Sequence, residues 1–494
     1  MRTVLFVAAL IAVASNLPPA AMAQTEAPAA IVSAETPASR AGQALIDALN
    51  GGVDDRRAFA ETFSTLALQQ ESAAIRAARL DRLAGEAGGF DVISLTPNGD
   101  QMVEILAVTR RERRFARFVL FTSRRESGRP TSLFVLRTRD PAAIARDAWP
   151  ESPVPLESLP GEIARRVEAL AAEDHFSGGV LVARDDAVLF RGAYGLADRR
   201  WGVPNRGDTQ FHTGSVSKMF TAVAVMRLAG EGRLSLDDTL ARWVPDYPDQ
   251  KAAEAITLRH LLTHRAGIGA RDGRRLGTLT HRQAAATMTA PQASAPGAAF
   301  AYSNAGYVLL GAVIEAASEQ PFDDAMERLV FQPAGMTRTD YRPVTEPVPN
   351  RAAGYLRPED DPLGFGPRYD NSQYLGWAGD GSGGAWSTLD DLFAFHRALW
   401  SGRLLGPEAT AAMLAEQTEF PGTPRPSKYG YGVRLTQCGA AAVMGHGGGG
   451  PNSGVDASTY ATLDGRWTVI VLANEDPPAG DELATSICDA VVRS

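Results

Sequence analysis

Residues 211–220 read FHTGSVSKMF, and the ten that follow, TAVAVMRLAG, are apolar almost throughout. The apolar run predicts a helix, which sets Ser215 at its start and Lys218 one turn further along the same face. Lysine is rare here. Only Lys218, Lys251 and Lys428 occur, although lysine and arginine together number 49. Arginine stays protonated in proteins, whereas a desolvated lysine can lose its proton and act as a base. A serine with a lysine at i+3 is therefore a nucleophile with its own proton acceptor, and S-x-x-K is a pattern with that chemistry.

Three more segments bear on this pair. AYSNAGYVLLG (301–311) opens a second apolar helix and carries Tyr302 and Asn304. VMGHGGGG (443–450) closes a predicted strand and carries His446, Gly447, Gly448 and Gly449. GSGGAWSTLDDL (381–392) is a glycine-rich loop that runs into a capped helix. Taken singly, a tyrosine packs in a core, an asparagine caps a helix and clustered glycines make a turn. In the order S-x-x-K, Y-x-N, H-x-G they resemble the serine beta-lactamase and penicillin-binding protein superfamily, in the branch holding class C beta-lactamases, DD-peptidases and related esterases. LLTHRAGI (261–268) and the longer run AYSNAGYVLLGAVIE (301–315) fit that resemblance, which covers about residues 160–494. No serine stands in G-x-S-x-G, so the α/β-hydrolase elbow is absent, and Y-x-N stands in place of the S-D-N of class A enzymes.

The resemblance implies an α+β fold, an antiparallel sheet flanked by helices with an all-helical subdomain inserted in it. It also implies roles. Ser215 Oγ attacks a carbonyl, and Lys218 is the base once burial and a second cation depress its pKa. Tyr302 shares the proton and passes it to the leaving group. Asn304 offers a donor and an acceptor, for a substrate amide or for Lys218. The backbone N–H groups of Ser215 and Gly449 form the oxyanion pair, with Gly448 and Gly449 letting a substrate approach the strand. His446 stands where class C enzymes carry lysine, and imidazole is only partly charged near neutrality. That favours a peptidase, amidase or esterase over a true beta-lactamase. His212, His264, His396 and the Ser387-Thr388 cap before Asp391 read as structural.

At 494 residues the chain is long enough for two folded domains. A net charge of −8 argues against nucleic acid as a partner. Residues 1–23 read as a signal peptide, with Arg2, an apolar stretch too short to span a bilayer, and Ala21-Met22-Ala23 as the cleavage site. Export to the periplasm, or secretion from a bacterial cell, is expected, with no membrane span after cleavage. Residues 24–38 form a linker. Residues 39–148 read as a small α+β domain of unknown role, helical at first and then an antiparallel meander of strands at 90–95, 101–109, 115–123 and 131–138. A proline-rich linker, 149–160, leads to the hydrolase domain, 161–494. Its predicted strands lie at 178–183 and 187–194, and again at 430–436, 441–444, 454–462 and 467–474, before a last helix at 481–492. The sheet thus draws on both ends of the domain.

Cys438 and Cys488 are the only cysteines, and in an exported protein they are expected to pair. His260 and His264 flank LLT without the glutamate of H-E-x-x-H, and no other spacing suits zinc, so neither metal nor cofactor is expected. The expected function is a serine hydrolase that opens an ester or amide of a small molecule or peptide through an acyl-enzyme. The alternative is a penicillin- or peptide-recognising sensor without turnover.

Overall fold

The computed structural model describes residues 31–32, 36–268, 279–288, 294–357, 361, 363–364, 366–373, 375–376, 378–421, 425–450 and 453–494. The predicted signal peptide and most of the first linker lie outside the described residues. The chain divides into two compact units. One takes the described part of Leu17–Ala148 together with Arg357–Tyr369, the other Trp149–Leu356 and Asp370–Ser494.

In the first unit, α1 (Pro37–Asn50) starts at Thr36, whose hydroxyl accepts from Ser39 N, and is followed by α2 (Val53–Glu61), α3 (Thr65–Gln70) and α4 (Ala73–Ala87), with α5 (Pro141–Asp147) after the strands. Gly88 ends α4 in the left-handed region at φ 68°, where a residue without Cβ is least strained. The sheet holds β1 (Ile31–Val32), β2 (Phe90–Asn98), β3 (Met102–Thr109), β4 (Phe115–Thr122) and β5 (Pro130–Thr138) in that order. β2 to β5 form an antiparallel meander. Val103, Ile105 and Ala107 alternate onto the same core as Ala116, Phe118 and Leu120, with Leu45, Leu49, Leu80 and Leu83 from the helices. Leu363, from the segment within 161–494 in sequence, is fully buried in that core. Arg114 Nη1 donates to the Leu363 carbonyl at 3.1 Å.

The second unit is built on one antiparallel sheet. It takes β6 (Gly178–Arg184) and β7 (Ala187–Tyr194) early in the chain, then β8 (Thr418–Glu419), β9 (Lys428–Tyr429), β10 (Arg434–Cys438), β11 (Ala441–Gly449), β12 (Asp456–Thr462) and β13 (Trp467–Ala473). The order is β8-β9-β10-β11-β12-β13-β6-β7, so the last strand pairs with the first of the unit, Ile470 opposite Leu181. Successive residues face opposite sides. Val180, Val182, Val469 and Val471 meet α6 (Leu159–Ala172) and the last helix, Ala479–Val491, through Ile163, Val167, Leu483 and Ile487. Leu181, Ala183, Ile470 and Leu472 meet the helical block on the other side, including Met219 and Phe220. Covered on both faces, these strands read as unbroken apolar runs. The fold is the expected α+β arrangement, a sheet between helical layers.

Of the sequence-based boundaries, two shift most. The strand expected at 430–436 begins at Arg434, because Gly432 turns through φ 71° where a Cβ would meet Ala222 Cβ at 2.5 Å. The strand expected at 441–444 continues to Gly449, so His446 lies inside it, opposite Thr459. Cys438, at the end of β10, is bonded to Cys488 in the last helix.

Candidate active site

Ser215 lies in a 3₁₀ turn, Gly214–Ser217, that runs directly into α7 (Lys218–Gly230). Three residues per turn bring i and i+3 into line, and Lys218 Nζ stands 3.1 Å from Ser215 Oγ. α7 is apolar on nearly every side and its residues from Lys218 to Met226 are all buried. Lys218 is itself fully buried. That burial pushes its pKa from 10.5 down to about 7, against the pull of the Asp380 carboxylate, which raises it. The expected second cation is not among the causes. Burial does the work instead.

Two acceptors hold the amine. Asn304 Oδ1 lies at 2.7 Å and the Ser382 carbonyl at 2.5 Å from Nζ. A neutral amine has two N–H bonds and one lone pair. With both N–H bonds spent on these two oxygens, the lone pair faces the third partner, the Ser215 hydroxyl. An ammonium donates to all three, so the same cradle serves both protonation states. Asn304 is free for this task because Ser303 caps α9 (Asn304–Ser318), its Oγ accepting from Gly306 N at 3.2 Å. α8 is the His281–Ala286 helix.

Sequence reasoning singled out the loop 381–392 but not Ser382. The groups that place its carbonyl come from the loop itself and from three distant helices. Asp380 Oδ1 accepts from Ser382 N at 2.7 Å and Oγ at 2.6 Å. Thr221 Oγ1 donates to the Gly381 carbonyl at 2.8 Å. Gly381 N donates to His281 Nε2 at 3.0 Å, and His281 Nδ1 donates to Glu315 Oε1 at 3.0 Å. A backbone carbonyl leaves no mark in a sequence. The one signal was glycine: a Cβ at Gly381 would stand 2.3 Å from the Tyr307 carbonyl.

Tyr302 is half-buried. Desolvation pushes the pKa of its phenol upward, against the opposing influence of the nearby Ser215 hydroxyl. The phenol therefore keeps its proton. Lys218 Nζ lies 4.9 Å from the centre of its ring, within cation–π range. β11 brings its glycines against the 3₁₀ turn. A Cβ on Gly448 would lie 2.0 Å from Thr213 O and 2.8 Å from Ser215 N, and one on Gly214 would lie 2.4 Å from Gly449 N. Only glycine permits that approach, which sets Ser215 N and Gly449 N on adjoining backbones.

His446 departs from its expected charge state. Burial, then the nearby Lys218, push it down to about 3, so the ring is neutral at physiological pH. Both ring nitrogens are engaged, Nδ1 with the Gly447 carbonyl at 2.6 Å and Nε2 with the Tyr429 hydroxyl at 3.0 Å. His264, read from sequence as structural, packs its ring 4.2 Å from that of Tyr302. His396 Nε2 meets Thr459 Oγ1 at 2.6 Å, and His212 Nδ1 accepts from Gly214 N at 3.3 Å. His260 Nδ1 accepts from Thr257 N at 3.2 Å within the cap of a short helix. Among the described residues no group of three or more His, Cys, Asp or Glu could hold a metal ion.

The sheet between helical layers thus brings Ser215, Lys218 and Tyr302 into one cluster. A family model described as Beta-lactamase matches residues 163–491, and the chain belongs to that family. The chain is similar to Esterase EstB of Burkholderia gladioli, 36% identical over 217 residues, which are 40% of this chain and 53% of the esterase. It is similar also to Penicillin-binding protein 4* of Bacillus subtilis (strain 168), 28% identical over 63% of this chain and 70% of that protein. Among solved structures, a penicillin binding protein from Bacillus halodurans superposes with a TM-score of 0.58 at 28% identity, covering 66% of this chain and 98% of the other. The chain thus spans about half the length of the esterase relative, and the family match begins at residue 163, after the N-terminal part of the first unit.

Proposed function

We propose that this protein is an exported serine hydrolase that cleaves an ester or amide of a small molecule or peptide through an acyl-enzyme on Ser215. The observation that carries the reading is the Lys218 cradle: a fully buried amine with two fixed acceptors and the serine hydroxyl as its third partner. With its pKa near 7, about half of Lys218 is neutral at pH 7 and can take the Ser215 proton as Oγ attacks the carbonyl. The N–H groups of Ser215 and Gly449 receive the developing oxyanion. Tyr302, near the Ser215 hydroxyl and holding its own proton, donates to the leaving oxygen or nitrogen and is reprotonated from Lys218. Water then attacks the acyl-enzyme with Lys218 again as base, and Ser215 regains its proton.

His446 adds no positive charge to the site, which supports neutral esters and amides as substrates over those that need a cation for a carboxylate. Similarity to an esterase and to penicillin-binding proteins agrees with either of two outcomes, turnover or a stable acyl-protein. A labelled penicillin and a labelled ester, each followed by a chase, separate them, while a fluorophosphonate, which phosphonylates serine irreversibly, reports only whether Ser215 is nucleophilic. Hydrolysis of a neutral ester that disappears in Ser215→Ala, with a mass increment on Ser215 during turnover, is the expected result. Labelling that persists unchanged through the chase with every substrate supports the sensor reading. No labelling of Ser215 at all refutes both. The signal-like residues 1–23 support export, which fractionation of the native host tests directly.

A further inference from the structure

Two buried histidines outside the Ser215–Lys218 pair are joined through a tyrosine. Ser303 N donates to His264 Nδ1 at 3.0 Å. That nitrogen is therefore unprotonated, and a neutral His264 carries its hydrogen on Nε2, 3.3 Å from the Tyr429 hydroxyl. At the other end, His446 Nδ1 faces the Gly447 carbonyl, which only accepts, so the hydrogen of His446 is on Nδ1. Its Nε2 is then a lone pair, 3.0 Å from the same Tyr429 hydroxyl. Tyr429 must accept from His264 and donate to His446. Tyr307 also faces Tyr429, but its own hydrogen goes to the Leu262 carbonyl at 2.8 Å. A Tyr429 hydrogen turned toward Tyr307 would leave His446 Nε2 buried without a donor. One arrangement alone satisfies every group.

We propose that Tyr429 and His264 are positioning residues, which through this one-way chain fill the lone pair of His446 Nε2 and tie the Tyr302–Asn304 segment to the strand bearing Gly449. The inference rests on the reading of Ser215 and Lys218 as the reaction centre. Its physical content is that a single fully buried hydroxyl links the two walls of the site, one carrying the proton donor and the amine's acceptor, the other carrying an oxyanion donor. A proton added to His264 Nδ1 or His446 Nε2 would set two hydrogens face to face and break the link. The groups that face these rings are Lys218, Arg434, Tyr302, Tyr307 and Tyr429, and the two cations among them oppose such a proton. Burial opposes it further.

The test is ¹⁵N NMR of the histidine rings in the full-length protein, with acylation of Ser215 by a p-nitrophenyl ester read in parallel. The wild type should show His446 as the Nδ1–H tautomer and His264 as the Nε2–H tautomer, both unchanged from pH 5.5 to 8. Tyr429→Phe should leave His446 Nε2 without its donor, move the ¹⁵N resonance of that nitrogen while Nδ1–H stays on the Gly447 carbonyl, and slow acylation at least tenfold. The opposite tautomer at either histidine in the wild type overturns the proposal, and needs no variant to fold. An acylation rate within twofold of wild type in Tyr429→Phe overturns it too, whatever the spectrum. If the tautomers are as stated but the wild type is never acylated, the hydrolase reading fails while the hydrogen-bond chain stands.

Discussion

Substituting Asn304 by aspartate keeps the shape of the side chain and puts a carboxylate where Oδ1 now lies 2.7 Å from Lys218 Nζ. An opposite charge at that range favours the ammonium and raises the pKa by about 1–3 units. Starting from about 7, half of the amine is neutral at pH 7. In the variant the neutral fraction drops to about 0.1–0.001, so kcat/KM for a neutral ester at pH 7 should fall roughly 5- to 500-fold. The loss should be recoverable. Each pH unit of alkalinity should return about tenfold, until the variant approaches wild type above its new pKa. The assay is kcat/KM from pH 6 to 10, corrected for spontaneous hydrolysis, for wild type and Asn304→Asp side by side. A fall of equal size at every pH, with the apparent pKa unmoved, would refute the reasoning and place residue 304 on the substrate instead of the base.

Lys218→Arg keeps the charge and removes the proton acceptor, so the acylation rate should drop at least about 100-fold; retention of a tenth of the rate would remove Lys218 from the role of base. His281→Phe leaves the Gly381 N–H without its acceptor and should lower acylation about tenfold, the scale of an unpaired buried donor. His281→Gln, which restores an acceptor, should recover most of it, and amide exchange at Gly381 should follow the same order. Equal rates in both variants would show that the loop does not depend on that bond. Burial also makes a prediction for stability. His396 is held down to about 4 and His446 to about 3, below the ordinary 6.5, so the unfolded chain binds protons there first. Their contribution is complete above pH 6.5 and shrinks as pH falls toward the folded values, by about 2 kcal/mol each at pH 5. Urea unfolding of the second unit at pH 7.5 and pH 5 measures it, and a flat result would mean the rings are not held neutral.

What the sequence by itself determined is the chemical inventory and its order. Ser215 and Lys218 three apart, Tyr302 and Asn304 two apart, and His446 before its glycines are local facts, and helix or strand period carries them onto shared faces without any knowledge of the rest of the fold. The longer strands of both sheets were legible from local pattern too: burial on both faces leaves apolar runs at β6 and β13, and alternation marks β3 and β4 of the first unit. Tertiary structure decided everything that depends on desolvation or on backbone atoms. Whether Lys218 meets a second cation or only apolar neighbours is a matter of what packs around α7, and His446 is neutral because β11 is covered, not because of its neighbours in sequence. The Ser382 carbonyl could not be foreseen, since every residue has one and only the loop's path gives it a direction. Asn304 could be recognised as special, but its freedom to reach Lys218 follows from Ser303 taking the capping bond. The place of Leu363 in the core of the first unit was equally hidden. A single leucine between prolines and charges has no periodicity, and only the three-dimensional path of the chain reveals which core it joins.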